Sequence, residues 1–301
     1  MSRDITLADE RPVIVKLPLP ERESPLVTWL TRNVDAATSW IGQPFARRWP
    51  VRIPLLSLLI LTALFRWTRF DTAVSGLFFD AQTEQWSWFF NAGCILFYRG
   101  GIYPAVALFI AGIALVIAGR VRHSRHEHRA GLFLVALFII GPGLVVNQGL
   151  KNHWGRPRPN QLRQFGGVYE FVPVGSPGPL VKPNSSFPSG HAAVAFYLMS
   201  PGFLASPRRR GLSTRLIMGG VVFGGLMALV RVIQGGHFVS DVVWSGAIVY
   251  FTAVALAWVI LRPKDSLVLA RSAQAGTLVS NSASAAGTSH SVTRNSNRTA
   301  A

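Results

Sequence analysis

The chain has few acidic residues, a low fraction of charged residues and a single cysteine. Of its 301 residues, 13 are Asp or Glu and 30 are Lys or Arg, and charged residues make up 14% of the chain. Soluble domains usually carry about 25% charged residues, so a soluble fold is disfavoured. The one cysteine, Cys94, excludes an intrachain disulfide and a cysteine-based zinc site. Carboxylates do not cluster in a way that suits Mg²⁺ or Ca²⁺, so we expect no metal and no other cofactor.

The excess of basic residues has two interpretations, because nucleic-acid-binding proteins and membrane proteins both show it. Here the basic residues lie largely in short loops between apolar runs that reach the length of a bilayer. Membrane topology and attraction to anionic headgroups produce that distribution. We therefore expect the lipid bilayer as the partner of this surface, and no nucleic acid.

Apolar runs of spanning length predict an all-α, polytopic membrane protein with six transmembrane helices in a bundle. The third run contains Gly141-Pro142-Gly143, where a kink is expected. The six predicted spans are 51–67, 102–119, 131–150, 188–205, 214–234 and 240–261.

These spans define one predicted membrane domain, 50–263, between two polar segments. We expect segment 1–49 to be cytoplasmic and partly disordered. Apolar residues at helical spacing after Pro25 predict either an interfacial amphipathic helix or an ordinary packing helix. Segment 264–301 is rich in Ser, Ala and Thr, which predicts a disordered cytoplasmic tail.

The charges of the loops orient the predicted spans. With six spans, the basic stretches fall on one side of the membrane: 47–52, 120–129, 207–215 and 262–264. The positive-inside rule makes that side cytoplasmic. Loops 68–101, 151–187 and 235–239 then lie on the outer side, and three polar clusters fall among them. Charged residues at the ends of apolar runs are costly, so these clusters are candidates for a functional site.

The first cluster is the sequence Lys-Asn-His-Trp-Gly-Arg-Pro-Arg-Pro over 151–159. Its prolines forbid a continuous helix. Several fixed cations in a loop beside a low-dielectric region predict an anion site, in which Arg holds a phosphate through paired hydrogen bonds and Lys acts as a point charge. The alternative is a positively charged stop after a span, which is disfavoured because outer loops carry few Lys and Arg.

The second cluster, Ser-Ser-Phe-Pro-Ser-Gly-His over 185–191, opens the fourth predicted span. Ser186 is expected to be the N-cap, with Pro188 in the first helical turn. The amides of Ser189, Gly190 and His191 would then lie free at a helix N-terminus, which is an anion site. His191 would stand beside the anion as a general acid.

The third cluster consists of Arg231, His237 and Asp241. The sequence Gln-Gly-Gly-His over 234–237 predicts a tight turn. His237 and Asp241 are four residues apart and share a helix face. The carboxylate would accept one imidazole N–H and leave the other nitrogen free to attack. The alternative is a buried His–Asp pair that only stabilises the turn. Together the clusters suit phosphoryl transfer, which depends chiefly on positioning and charge stabilisation.

The three clusters resemble the signature of the type 2 phosphatidic acid phosphatase superfamily of membrane lipid phosphatases. The order Lys-x6-Arg-Pro, Pro-Ser-Gly-His and Arg-x5-His-x3-Asp is present at 151–159, 188–191 and 231–241. One position departs from the family pattern, because Val230 stands where a Ser is usual before the third-motif Arg. The Trp-Gly-Arg-Pro-Arg-Pro and Gln-Gly-Gly-His-Phe-x-Ser-Asp forms look most like bacterial lipid A phosphatases.

The resemblance implies a metal-independent phosphoric monoester hydrolase that acts on a phosphorylated membrane lipid through a phosphohistidine. It implies a multi-pass protein of the bacterial inner membrane, with the active site at the periplasmic ends of the helices and both termini in the cytoplasm. It also implies that His237 is the nucleophile, that Asp241 orients it, and that His191 protonates the leaving oxygen and later activates water. The phosphate would be held by Lys151, Arg158, Arg231 and the backbone of Ser189 and Gly190.

The resemblance leaves several substrates open. Lipid A is the first expectation, at its 4′-phosphate before its 1-phosphate. Undecaprenyl diphosphate and phosphatidylglycerol phosphate phosphatases share the same site, and transfer to a second lipid would use the same phosphohistidine. Arg156, Arg163 and Lys182 add charge on the outer side, which would contact either a second phosphate or acidic sugar, or anionic headgroups. The oligomeric state stays open.

Overall fold

The computed structural model describes residues 51–180, 185–205 and 209–261, and this part of the chain is mostly helical. The predictions for segments 1–49 and 264–301 lie outside the described residues. The helices are α1 Arg52–Trp67, α2 Phe70–Gly76, α3 Ala92–Gly100, α4 Tyr103–Val121, α5 Arg125–Phe138, α6 Lys151–His153, α7 Gly190–Phe196, α8 Pro201–Leu204, α9 Arg210–Ile233 and α10 Val239–Leu256. A π-helical stretch, Ile139–Leu150, joins α5 to α6, and another, Ala257–Leu261, extends α10.

Four helical stretches within the described residues have the length and composition needed to cross a membrane. They are Ala92–Val121, Arg125–His153, Arg210–Ile233 and Val239–Leu261. Helices α1 and α2 also pass this test together, although they meet at an angle of 74°, and they add a fifth span if counted as one. The prediction of a mostly helical membrane protein is confirmed, whereas the count of six spans stays a prediction.

The fourth predicted span, 188–205, does not form one long helix. It consists of α7, a 3-10 turn over Tyr197–Met199, and α8, which begins at Pro201. Proline has no backbone N–H and clashes with the preceding turn, so a helix interrupted before Pro201 is expected. Tyr197 and Met199 are buried in the main apolar core together with Phe133 and Val249. This segment therefore packs inside the bundle.

Gly141-Pro142-Gly143, where a kink is predicted, lies within the π-helical stretch Ile139–Leu150. A proline inside a helix leaves a carbonyl without its usual donor. In this stretch the side-chain amide of Asn147 donates to the carbonyl oxygen of Pro142 at 2.7 Å. That hydrogen bond reaches the carbonyl of the proline itself, whereas the carbonyl that lacks its donor lies one turn earlier.

The polar end of the bundle is covered by a small aromatic layer. Strands β1 (Phe79–Asp80) and β2 (Gln85–Trp86) form an antiparallel hairpin in which Phe79 is paired with Trp86. The rings of Phe79 and Trp86 both contact Phe165, with centroid distances of 5.3 and 5.4 Å. Phe165 belongs to a buried cluster with Phe238, the residue after His237. The layer thus holds the backbone next to the candidate nucleophile.

Candidate active site

The fold brings the three polar clusters to one place. His191 interacts electrostatically with Lys151, Arg158 and Arg231, one or more from each of the other two clusters. His237 interacts with Lys151 and Arg231 as well. The two histidines, which come from different clusters, therefore share Lys151 and Arg231.

His237 is held in one tautomer by a backbone contact. Its side chain is buried, and Nδ1 lies 2.7 Å from the carbonyl oxygen of Ser186. A carbonyl oxygen only accepts hydrogen bonds, so Nδ1 carries the proton and Nε2 carries the free electron pair. Burial lowers the pKa of His237 to about 3. The imidazole is therefore neutral at physiological pH, which a nitrogen nucleophile requires.

Asp241 contacts His237 differently from the sequence expectation. Its Oδ2 lies 3.7 Å from Nδ1 of His237, which is too long for a hydrogen bond. The same oxygen accepts hydrogen bonds from the Ser186 hydroxyl at 2.6 Å and from the Phe238 amide at 2.8 Å. The carboxylate thus fixes the segment around Ser186, and the Ser186 carbonyl accepts the hydrogen bond from the imidazole N–H.

Arg156 lies behind Asp241 and is fully buried. Its Nη1 contacts Oδ1 of Asp241 at 2.5 Å, and its Nη2 contacts Oδ2 of Asp71 at 2.9 Å. Its Nε donates to the carbonyl oxygen of Val172 at 2.8 Å. The expectation that Arg156 meets a second phosphate or a headgroup is therefore wrong, because buried carboxylates already hold it. Of the other two cations in that expectation, Arg163 is exposed and Lys182 lies outside the described residues.

Arg231 is a buried cation with an unused donor. Its Nη1 donates to Oε1 of Gln234 at 2.8 Å, but its buried Nε has no hydrogen-bond partner among the described residues. A Cβ at Gly236 would lie 2.2 Å from Nη2 of Arg231, so the glycine makes room for the guanidinium. An unsatisfied buried N–H costs free energy, and an anion placed here would satisfy it.

Lys151 and Arg158 add two more cations to the same place. Lys151 is buried, and its charge is opposed by those of Arg158 and Arg231. Like charges repel strongly in a site with little water. A bound phosphate dianion would relieve that repulsion, so the group of three cations suits a phosphate.

The second cluster is arranged differently from the prediction. Helix α7 begins at Gly190 with Ser189 as its N-cap, and the Ser189 hydroxyl accepts from the Ala192 amide at 3.5 Å. The N-cap prediction for Ser186 was wrong because its hydroxyl donates to Asp241. The Ser189 amide donates to Oγ of Ser245 at 2.8 Å, so it is not free for a ligand. The amides of Gly190 and His191 remain at the start of the helix.

The predicted tight turn before His237 is confirmed. Gly235 has a φ of +67°, a left-handed conformation that favours glycine. A Cβ at Gly235 would lie 2.3 Å from the ring of Trp86, so the turn also needs the missing side chain for packing.

Tyr98 on α3 was missed by sequence reasoning. Its ring lies 4.5 Å from the imidazole centroid of His191, and the guanidinium carbon of Arg231 lies 4.5 Å from the Tyr98 centroid. Asp71 was missed as well. Neither Tyr98 nor Asp71 belongs to a motif, so no sequence pattern indicated them. Ser186 and Ser240 lie inside the quoted motifs, so their place in the site could have been suspected.

Known proteins are similar to this chain over the part that carries the three clusters. The PAP2 superfamily model matches residues 129–265, a range that includes all three clusters. A lipid A 4′-phosphatase from Francisella tularensis subsp. novicida (strain U112) is 31% identical over 214 residues, which is 68% of this chain and 96% of that protein. Lipid A 4′-phosphatases from Rhizobium etli and Rhizobium leguminosarum are 36% and 35% identical over 153 residues, which is 47% of this chain. The chain covers 58% and 64% of those two proteins.

A solved structure is also similar, namely the crystal structure of the first transmembrane PAP2 type phosphatidylglycerolphosphate phosphatase from Bacillus subtilis. It shows 21% identity and a TM-score of 0.42, and the match covers 69% of this chain and 95% of that chain. We draw no conclusion from a likeness of this size.

The candidate spans and the relatives make the chain a membrane-bound bacterial phosphatase, that is, a phosphoric monoester hydrolase. The chain belongs to the PAP2 superfamily.

Proposed function

We propose that the protein removes the 4′-phosphate of lipid A through a phosphohistidine intermediate, without a metal. The observation that carries this proposal is the similarity to a lipid A 4′-phosphatase over 96% of that protein's length. The convergence of Lys151 and Arg231 on both histidines, and of Arg158 on His191, supports it. These cations supply the positive charge that phosphoryl transfer needs.

In the first step, Nε2 of His237 attacks the phosphorus and the bond from phosphorus to the lipid oxygen breaks. Protonated His191 gives its proton to that leaving oxygen, so the dephosphorylated lipid departs as an alcohol. The three cations and the amides of Gly190 and His191 hold the phosphoryl oxygens. Ser189 contributes as the helix cap, since its own amide donates to Ser245.

In the second step, neutral His191 takes a proton from a water molecule while the water oxygen attacks the phosphorus. The phosphorus–nitrogen bond breaks, which releases inorganic phosphate and returns neutral His237. His191 is left protonated and ready for another lipid. Throughout both steps the Ser186 carbonyl keeps the Nδ1 proton of His237 in place, and Asp241 keeps Ser186 in place.

The first experiment measures phosphate release from purified protein carrying His237→Ala. We expect turnover to fall by roughly 10⁴-fold or more, as happens when a nucleophile is removed. His153→Ala is the matched control, because His153 is an exposed histidine whose ring bonds only locally, to the Gly149 carbonyl. The control should keep nearly full activity, and turnover retained by His237→Ala would contradict the assignment of the nucleophile.

The second experiment identifies the lipid. Purified protein is given lipid A, undecaprenyl diphosphate and phosphatidylglycerol phosphate in parallel, and the position of the remaining phosphate on lipid A is determined. We expect loss of the 4′-phosphate; release only from the 1-position or only from another lipid would contradict the proposal. A labelled donor with an acceptor lipid separates hydrolysis from transfer, since label in free phosphate indicates hydrolysis.

The proposal also includes the placement of the protein in the inner membrane. We propose six spans, with segment 188–205 completing the bundle, the site at the periplasmic ends and both termini in the cytoplasm. The basic loops on the opposite side support this orientation. A periplasm-directed reporter fused after Arg262 should be inactive, and an active reporter would overturn the orientation.

A further inference from the structure

Asp71 lies on α2, outside all three motifs, yet it is bound to the site by three hydrogen bonds. Its Oδ1 accepts from the Ser240 amide at 3.0 Å. Its Oδ2 accepts from the Ser240 hydroxyl at 2.5 Å and from Nη2 of Arg156 at 2.9 Å. Asp71 is fully buried. These three donors hold the buried carboxylate in one place.

An unbroken series of contacts leads from Asp71 to the imidazole of His237. Arg156 donates to Asp71 on one side and to Oδ1 of Asp241 on the other, at 2.9 and 2.5 Å. Oδ2 of Asp241 accepts from the Ser186 hydroxyl at 2.6 Å, and the Ser186 carbonyl accepts from Nδ1 of His237 at 2.7 Å. The position of the reacting ring is therefore coupled to a side chain on another helix.

The planar guanidinium explains why Asp71 matters to Asp241. Arg156 lies with its guanidinium carbon 4.3 Å from the centroid of the Phe238 ring, which fixes one face. Rotation within that plane is restricted by the two carboxylates, one at each Nη atom. Without Asp71, only one of these ionic contacts would remain, and Arg156 would hold Asp241 less firmly.

The net charge of Asp71, Arg156 and Asp241 is a second reason why Asp71 matters to His237. Two buried carboxylates and one guanidinium leave one net negative charge behind the His237 imidazole. That ring becomes positively charged when Nε2 bonds to phosphorus while Nδ1 keeps its proton. A fixed negative charge nearby stabilises this change, provided that it is already oriented before the reaction.

We propose that Asp71 is a positioning residue for phosphoryl transfer. It acts through Arg156, Asp241 and Ser186 to keep Nε2 of His237 aimed at the phosphorus. The inference rests on the proposed function, in which His237 is the nucleophile.

The test compares Asp71→Asn with Asp80→Asn, measuring the rate of phosphoenzyme formation in a single turnover together with kcat and KM. Asp80 is a matched control because its carboxylate bonds only within its own turn, to Gln82 and Thr83. We expect Asp71→Asn to slow phosphoenzyme formation and kcat by about 10- to 100-fold, the size expected for a lost charge-assisted hydrogen bond in a buried site. The KM should change by less than about threefold, because the phosphate-holding cations are untouched.

A purely structural role predicts a different result. In that case Asp71→Asn would lower the yield of folded protein, but its folded fraction would form phosphoenzyme at the rate of Asp80→Asn, and the proposal would be overturned. Ser240→Ala is a milder second variant, because it removes one donor to Asp71 and one acceptor of Arg156 but keeps every charge. It should slow phosphoenzyme formation by about 3- to 10-fold. If Asp71→Asn does not fold, an unchanged rate of phosphoenzyme formation in Ser240→Ala overturns the proposal.

The His237→Ala variant separates failure of this inference from failure of the proposed function. If His237→Ala still turns over lipid, the proposed function fails. If His237→Ala is inactive while Asp71→Asn matches Asp80→Asn, only the role of Asp71 fails.

Discussion

Replacing Arg156 by Met is expected to destabilise the protein strongly, because it leaves two carboxylates buried without their cation. Met keeps much of the length of the side chain but removes its charge and all of its donors. Asp71 and Asp241 are both fully buried, so water cannot replace the lost guanidinium. Three side-chain contacts are lost at once, to Asp71, Ser240 and Asp241, besides the bond to the Val172 carbonyl.

The size of the destabilisation follows from the burial of these ion pairs. Removing one partner of a buried ion pair costs about 3–5 kcal/mol, because the other charge stays uncompensated. That is a large part of the roughly 5–15 kcal/mol by which domains are stable. For a domain of about 150–250 residues, 1 kcal/mol corresponds to about 2–4 °C in Tm, so we expect a fall of about 6–20 °C.

Thermal unfolding in detergent measures this, with Arg163→Met as the matched control. Arg163 lies in the same loop and pairs with Glu170 at 3.1 Å, but the two side chains are 70% and 76% exposed. An exposed pair contributes about 0–1 kcal/mol, so the control should shift Tm by no more than a few degrees. Equal shifts in the two variants would refute the reasoning, since they differ chiefly in the burial of the ion pair.

Two further predictions concern His237 and the turn before it. The pKa of His237 in the folded protein is about 3, against 6.5 for an ordinary histidine. Because the unfolded protein binds the proton more readily, protonation favours unfolding. The contribution of the neutral ring to stability is therefore lost as pH falls from 6.5 towards 3. The Tm should therefore be lower at pH 4 than at pH 7, and the difference should be smaller in His237→Asn. An equal difference in the wild-type protein and in His237→Asn would show that His237 is not the cause. Gly235→Ala should lower both Tm and phosphate release, because its Cβ would meet Trp86 at 2.3 Å. Gly166→Ala is the control, since Gly166 also has a left-handed φ, +78°, but among the described residues no atom lies within 4 Å of the position of its Cβ. Comparable losses in the two variants would show that only the backbone conformation matters.

The location of the site was predictable because its residues carry chemistry that an apolar chain seldom tolerates. Lys151, Arg158, Arg231 and the two histidines stand out against long apolar runs, and the loop charges place them on one side. The turn at Gly235 was predictable as well, because adjacent glycines before a helix indicate a tight turn. The structure brings these residues together, although their motifs are far apart in the chain.

The hydrogen bonds within the site were less predictable. The four-residue spacing of His237 and Asp241 predicts a shared helix face, but this is wrong, because the helix begins at Val239 and His237 lies before it. The spacing also does not show that the Ser186 carbonyl lies closer to the imidazole than the carboxylate does. Arg156 has the same side chain as Arg158 two residues later. Only the position of Asp71, from a distant helix, shows that Arg156 is a buried partner of carboxylates. Such pairings depend on tertiary packing, which no local pattern records.

The buried charges also indicate why this arrangement is retained. A buried ion pair is often no more stable than well-packed apolar residues of the same volume, so stability alone does not explain Asp71 and Arg156. In the proposed mechanism, however, Asp241 must be charged and oriented, because His237 gains positive charge in the reaction. A lone buried carboxylate at that place would be costly, and Arg156 offsets the cost while Asp71 restricts the direction of the guanidinium. Under this proposal the sequence around 156–158 has two tasks, since Arg158 would contribute to the phosphate site and Arg156 to the support of the nucleophile.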